Sequence, residues 1–254
     1  MKIFETHTHL DSKEFNKDRD KIIEKCKKNG IEYMINIGCN ERTSENSIAL
    51  AEKYDFIYAT VGYHPHDATE FDANVVRKLA KHKKVVAIGE IGLDYYRNLS
   101  PVEVQKDVFE QQVKIALELN LPLVIHDRDA HEDTFNILKA NNAKRVVFHC
   151  FSGDVLFAEK VLAEGWKISF TGQVTYRKNL FSDTVRMVPD DAYFVETDAP
   201  YLTPVPYRGK RNSPLYLPEI IQHIAYERMQ TPNQIALDSL ENAKKFFFPK
   251  KKKK

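Results

Sequence analysis

The chain alternates between two kinds of segment. Short apolar, β-branched runs recur at Ile3–His9, Tyr33–Gly38, Ile57–His64, Val85–Leu93, Leu121–His126, Arg145–Phe151, Trp166–Gly172 and Tyr193–Asp198. Val85-Val-Ala-Ile-Gly89 and Leu121-Pro-Leu-Val-Ile-His126 are nearly continuous in apolar residues, as expected of strands covered on both faces. Longer amphipathic segments lie between them. Asp18–Lys28 stops at Asn29-Gly30, where glycine suits a left-handed cap. Pro101–Leu119 opens with Ser100-Pro101 and spaces Val104, Val108, Val113 and Leu117 near helical period. Thr43–Lys53, Asp72–His82, Asp154–Ala163, Leu215–Met229 and Asn233–Phe247 complete the predicted helices.

Repeated strand–helix alternation predicts parallel strands joined by right-handed crossovers. Eight such units in 254 residues match an α/β fold, a single (β/α)8 barrel of TIM type, which typically needs about 250 residues. An open doubly wound sheet has the same periodicity. No linker, repeat or low-complexity segment divides the body, so one domain is expected over 1–249, followed by a disordered lysine tail at 250–254. The one long Pro-rich loop, Pro200–Pro214, follows the last strand, where a barrel builds part of its mouth.

Composition narrows the class of protein. Hydrophobic residues make up 43% and charged residues 29%, which excludes a disordered, collagenous or disulfide-scaffold chain. The 38 basic residues slightly exceed the 36 acidic ones, but five of the lysines are Lys250–Lys254. The body therefore carries 33 against 36, a net of −3. Such a body does not hold nucleic acid through bulk positive charge, and any phosphate chemistry needs a local positive field. Cys26, Cys39 and Cys150 are odd in number and form no CxxC, which suits reduced thiols and a cytoplasmic setting. No apolar run approaches a membrane span.

The polar residues that close the apolar runs carry the chemistry. His7 and His9 are two apart on the first strand. Glu90 lies toward the end of the fourth, His126 ends the fifth, His149 the sixth and Asp198 the eighth. In a barrel these strand ends converge on the active site. Four imidazoles and two carboxylates exceed one tetrahedral site and suit two divalent ions about 3.5–4 Å apart. Mixed N/O ligation suits zinc or manganese, and magnesium less readily. Two such ions would lower the pKa of a shared water toward about 7 and supply hydroxide.

Seven segments carry a further resemblance: Thr6–Asp11, Val61–His66, Ile88–Tyr96, Leu121–Ala130, His149–Gly153, Glu196–Leu202 and Tyr207–Asn212. In this order and spacing the chain resembles the TatD-type metal-dependent deoxyribonucleases of the amidohydrolase-like barrels, over essentially its whole length. The resemblance implies a two-metal centre that hydrolyses DNA phosphodiesters, often as a 3′–5′ exonuclease. It places His7, His9, Glu90 and Asp198 around one ion and Glu90, His126 and His149 around the other. Glu90 would bridge, and Asp198 would hold or deprotonate the attacking water. His64 would contact the scissile phosphate, which makes Asp198, Glu90 and His64 the catalytic set. Glu5, Asp127 and Ser213 depart from the usual pattern, and none removes a ligand.

Arg97, Arg128, Arg208, Lys210 and Arg211 fall on loops after the fourth, fifth and eighth strands, where they could grip phosphates. Tyr95, Tyr96, Phe151, Tyr176 and Tyr201 share that loop set. Glu196 has the parity of Asp198, points into the barrel below the metals, and needs a partner because an unpaired buried carboxylate is costly. Cys150 reads as packing against the helix layer. Cys39 and His66 read as ordinary loop residues. DNA is the expected partner of a monomer. A hydrolase of small phosphoesters, lactones or amides on the same barrel is the alternative enzyme. A non-catalytic binding module is disfavoured by the complete donor set.

Overall fold

The computed structural model describes residues 1–176 and 181–249. The lysine tail expected at 250–254 lies outside the described residues. Eight parallel strands form one sheet in sequential order: β1 Ile3–Thr8, β2 Ile31–Asn36, β3 Ile57–Val61, β4 Val85–Asp94, β5 Leu123–Arg128, β6 Val146–Phe148, β7 Lys167–Phe170 and β8 Tyr193–Val195. The sheet curls until β1 meets the chain just beyond β8. There Thr8 bridges Ala199, the His9 amide donates to the Ala199 carbonyl at 2.8 Å, and the Asp198 amide donates to the His7 carbonyl at 3.0 Å. The open-sheet alternative is thereby excluded.

Helices α1 (Arg19–Lys28), α2 (Glu41–Lys53), α3 (Ala73–Leu79), α4 (Val102–Glu118), α5 (His131–Ala140), α6 (Val155–Ala163), α7 (Ser182–Met187), α8 (Leu217–Arg228) and α9 (Pro232–Phe247) follow in chain order. The predicted set lacked α5 and α7. Both open on polar residues, and α7 is too short for its spacing to register. Local chemistry sets several helix starts. The Asn40 side chain accepts from the Thr43 amide in a capping box, and the Thr231 and Asp154 side chains accept from the Gln234 and Phe157 amides.

The large apolar cluster lies where strands meet helices. A smaller one brings together Phe4, Ile35, Val86, Val124, Val147 and Phe194 from six strands and packs them with Phe246 and Phe247 of α9. Side chains from six strands of one closed sheet can meet only inside it. This apolar layer forms the floor beneath the functional residues. His126, His149 and Glu196 stand two residues beyond Val124, Val147 and Phe194 along the chain, and Glu90 stands four beyond Val86, across a register shift in the β4–β5 ladder. On β1 the alternation breaks, because the β1–β2 register shifts between Glu5 and Thr8. Gly92 has φ of +144°, and a Cβ there would lie 1.9 Å from the His126 carbonyl oxygen. Its lack of a side chain lets β4 run against β5 at the level where both carry functional groups.

Candidate metal centre

All six residues read as metal ligands come together at the carboxyl end of the barrel. Glu90 is their hub. Its Oε1 lies 2.8 Å from His126 Nδ1, 2.8 Å from His149 Nε2 and 3.6 Å from His64 Nε2. Its Oε2 faces the other way, 3.4 Å from His7 Nε2 and 3.7 Å from His9 Nε2. Asp198 Oδ1 completes that second set, 3.3 Å from His9 Nε2 and 3.6 Å from His7 Nε2. The His7 and His149 rings stack with centroids 3.9 Å apart. Asp198 has φ of +56°, an uncommon conformation that acidic residues tolerate and that clusters at functional sites.

The electrostatics follow from burying imidazoles beside carboxylates. Burial pulls the His7 pKa down, helped by neighbouring His149. Burial also holds His64 well below the usual histidine range, helped by His126. Burial opposes charge on His149 too, but the field of Glu90 and bonds from Glu196 and Glu90 outweigh it and raise that pKa well above its ordinary value. His9 is raised in the same sense: burial is outweighed by Asp198, with help from Glu90 and Asp11. Glu90 is buried, yet the surrounding imidazoles, His149 first, hold its pKa well below the usual carboxylate range.

The donor chemistry fits divalent cations. Ligand atoms of His7, His9 and Asp198 lie within 4.8 Å of one another, as do those of His64, Glu90 and His126, and of His7, His149 and Glu196. The fully buried His7 ring leaves Nδ1 without a hydrogen-bond partner and turns Nε2 toward His9 Nε2 at 3.3 Å and two carboxylates. A cation among these acceptors would satisfy more of them than shared protons can. The set of imidazole nitrogens and carboxylate oxygens suits zinc or manganese.

His64 has a different orientation. Its Nδ1 accepts the His66 backbone N–H at 3.1 Å, so the neutral ring carries its proton on Nε2, which faces Glu90. It is set up as a donor rather than as a ligand through that nitrogen.

The surrounding shell holds residues that periodicity alone did not assign. Asp94, fully buried at the end of β4, accepts from His126 Nε2 at 3.1 Å and His66 Nε2 at 2.9 Å. His66 is therefore a partner of the centre and not an ordinary loop residue. Burial opposes ionisation of Asp94, but bonds from His126 and the Arg97 amide outweigh it and lower its pKa. The available signal was an acidic residue closing an apolar strand four positions after Glu90. Glu196 has the partners its burial demanded: His149 Nδ1 at 3.2 Å, the Cys150 amide at 2.8 Å and Thr6 Oγ1 at 3.3 Å. Glu5 accepts from the His7 and Thr197 amides and from Thr197 Oγ1, tying β1 to the chain after β8, and burial pushes its pKa up to about 8.

Two cysteine expectations need correction. Cys39 stands beside the centre, its Sγ 3.7 Å from Glu90 Oε2 and 4.0 Å from His9 Nδ1. Cys150 does not pack against the helix layer. The chain turns into the left-handed region there (φ +45°) and brings Sγ to Gln173 Nε2 at 3.3 Å and Thr171 Oγ1 at 3.5 Å.

The loop cations separate by what holds them. The Arg128 guanidinium lies 3.8 Å over the exposed Tyr96 ring, and that of Arg208 lies 3.7 Å over Tyr176. Arg97 is exposed, with its amide fixed to Asp94 Oδ1 at 2.7 Å. Arg211 is instead committed elsewhere: both terminal nitrogens bond the Asp18 carboxylate, and the group covers Phe15. Phe151 is buried against Phe157, and the Tyr95 hydroxyl donates to Asp133. Tyr201 is 55% exposed with its edge toward His9, which leaves it available at the mouth. No helix among the described residues is long and apolar enough to cross a membrane.

Comparison with known proteins places this geometry. The family model described as TatD related DNase matches residues 4–248. The chain is 41% identical to an uncharacterized metal-dependent hydrolase of Bacillus subtilis, YabD, over 96% of this chain and 98% of that protein. It is 37% identical to the 3′-5′ ssDNA/RNA exonuclease TatD of Erwinia tasmaniensis, over 96% and 99%. Among solved structures, the TatD homologue YJJV of Escherichia coli superposes with a TM-score of 0.89 at 29% identity, over 96% and 97%.

Proposed function

The chain belongs to the TatD-related DNase family of metal-dependent hydrolases, and from that premise we propose that it is a 3′–5′ exonuclease acting on single-stranded DNA. The observation that carries this reading is the division of Glu90. Its two oxygens face separate donor sets, His126 and His149 on one side, His7, His9 and Asp198 on the other. That is the arrangement a carboxylate needs to bridge two divalent ions. Ions held there supply positive charge to the phosphoryl oxygens and make a water acidic enough to attack.

The chain's own groups do the rest. Asp198 Oδ accepts the proton of the attacking water, and its left-handed backbone aims it into the mouth. His64 donates from Nε2 to a phosphate oxygen, because its Nδ1 is occupied by the His66 amide. Glu196 and Asp94 hold the outer nitrogens of His149 and His126, which fixes both rings. Arg128 and Arg208 present guanidinium groups on tyrosine faces at the rim, where a phosphate and an unstacked base can be held together. Arg97 adds an exposed cation, and Arg211 serves structure. All six donors come from one chain, so a monomer suffices.

The test uses 5′-labelled single-stranded DNA with zinc, manganese or magnesium. The expected result is stepwise shortening from the 3′ end that chelator stops. His126→Ala and Asp198→Asn should abolish it while leaving the circular dichroism spectrum unchanged. Hydrolysis of a lactone or a simple phosphoester far faster than DNA would overturn the assignment.

A further inference from the structure

A second feature lies off the centre of the mouth. A cavity of about 410 Å³ opens between the segment after β1 and helix α2. Lys13, Arg19, Arg42 and Lys53 line it, against the single carboxylate of Asp11. In a body whose net charge is −3 without the lysine tail, this is a local excess of cations.

Those charges are mostly uncompensated. The Lys13 and Arg42 side chains are exposed and make no side-chain hydrogen bond or ion pair with the described residues, although the Glu14 carboxylate lies within the field of Lys13. Arg19 donates to the carbonyls of Leu10, Asp11 and Ser12 and to Asn16 Oδ1, all neutral acceptors, so its charge stays available. Lys53 is the exception, paired with Asp20 at 2.7 Å. Asp11 is fixed by the Asn36 side-chain amide at 2.9 Å.

Position connects the cavity to the candidate centre. The carbonyls that Arg19 holds belong to the residues directly after His9. Arg42 is the second residue of α2, two positions after the Asn40 cap and three after Cys39, whose thiol faces Glu90. One end of the cavity, at Asp11 and Arg42, thus lies on segments that follow β1 and β2, and its lining runs along α2 to Lys53. No aromatic side chain lines it, so it offers bases nothing to stack on. Cations without aromatic platforms grip phosphates without reading sequence.

We infer that this cavity holds the sugar–phosphate backbone of a single nucleic-acid strand on the 5′ side of the bond being cut. The inference rests on the nuclease reading above, since the strand left behind by a 3′ exonuclease must leave the mouth in that sense. It makes affinity depend on strand length, with tight binding reserved for strands long enough to reach Lys13 and Arg42.

The test measures binding by fluorescence anisotropy in an Asp198→Asn background, which prevents cleavage, using 5′-labelled oligothymidines of about 20 and about 3 nucleotides. Adding Lys13→Glu and Arg42→Glu should weaken the longer strand at least tenfold and leave the shorter unchanged. The slope of log affinity against log salt should fall by roughly 1.4, from two lost phosphate contacts at about 0.7 each on single strands. Lys13→Gln with Arg42→Gln should move both quantities the same way by less. With Asp198 intact, hydrolysis of bis(p-nitrophenyl) phosphate should be unaffected by the charge reversals. Equal loss for both lengths, or an unchanged salt slope, overturns the groove alone. If the protein with Asp198 intact neither binds nor shortens either oligonucleotide, the nuclease reading falls and the groove with it.

Discussion

The floor and the mouth of the barrel are built from the same strands. Val86, Val124, Val147 and Phe194 make an apolar plug with α9, and Glu90, His126, His149 and Glu196 follow them two or four residues on. Both layers are buried or nearly so; Glu90 is 4% exposed and Phe194 is fully covered. Burial alone therefore does not separate core from chemistry here. What separates them is whether the buried group can be satisfied by neighbours of the same kind. Phe194 packs on Phe246 and Phe247 with centroids 5.3 and 5.9 Å away. Glu90 is instead ringed by imidazoles whose pKa values are pushed in opposite directions, His7 and His64 down and His149 up. The lower layer specifies the barrel, and the upper layer stores an arrangement that a cation completes.

Substitutions in each layer should respond differently. Phe194→Ala should cost the fold about 3–5 kcal/mol through the cavity it opens, lowering the melting temperature by roughly 10 °C, with metal uptake per folded molecule unchanged. Calorimetry with metal analysis checks both. A large loss of metal binding would mean the layers are coupled.

Glu90→Gln should invert that pattern. Hydrolysis should fall by about 10²–10³-fold, the range for removing one preorganised charge-stabilising group. The rise in melting temperature that divalent ion gives the parent protein, reflecting a stabilisation of about 2.7 kcal/mol at a hundred times Kd, should disappear. Retention of that rise would remove Glu90 from the centre.

The smallest effect should come from Asp94→Asn, one shell out. Metal affinity should weaken by about 10–100-fold, with partial recovery in Asp94→Glu and little change in the unfolding midpoint of the metal-free protein. A cobalt titration followed by absorbance reads this directly. An unchanged affinity would reduce Asp94 to a structural anchor for His66.

The strands were readable because buried parallel strands need continuous apolar runs. Their ends were not. The runs predicted to reach His64, Phe151, Gly172 and Asp198 leave the ladder at Val61, Phe148, Phe170 and Val195. Beyond those points single backbone bonds hold the chain, such as His64 N–H to the Cys39 carbonyl at 2.8 Å and His149 N–H to the Ile125 carbonyl at 3.0 Å. Functional side chains sit in these extensions, where composition still looks like strand. The six residues expected as ligands stand out in the sequence as polar residues within or closing apolar runs, and the barrel brings them together. Asp94 closes an apolar strand in the same way, but its partners, like the neighbours of Cys39 and His66, depend on where loops fold back. Asp94 meets His66 across 28 positions and Cys39 meets Glu90 across 51, distances over which no periodicity carries information.

The seam between β1 and the chain after β8 also bears on how the protein is made. The backbone bonds that shut the barrel come from His9 and Asp198 and end on Ala199 and His7. His7 and His9 thus precede Asp198 by almost two hundred residues in the chain. Synthesis proceeds from the amino end, so a growing chain holds His7 and His9 long before it can close the barrel around them. A truncated product carries histidines and Glu90 but neither the Asp198 carboxylate nor the seam that fixes their spacing. The juxtaposition of His7, His9 and Asp198 therefore needs the chain through Ala199, and a chain cut short before that seam cannot assemble it.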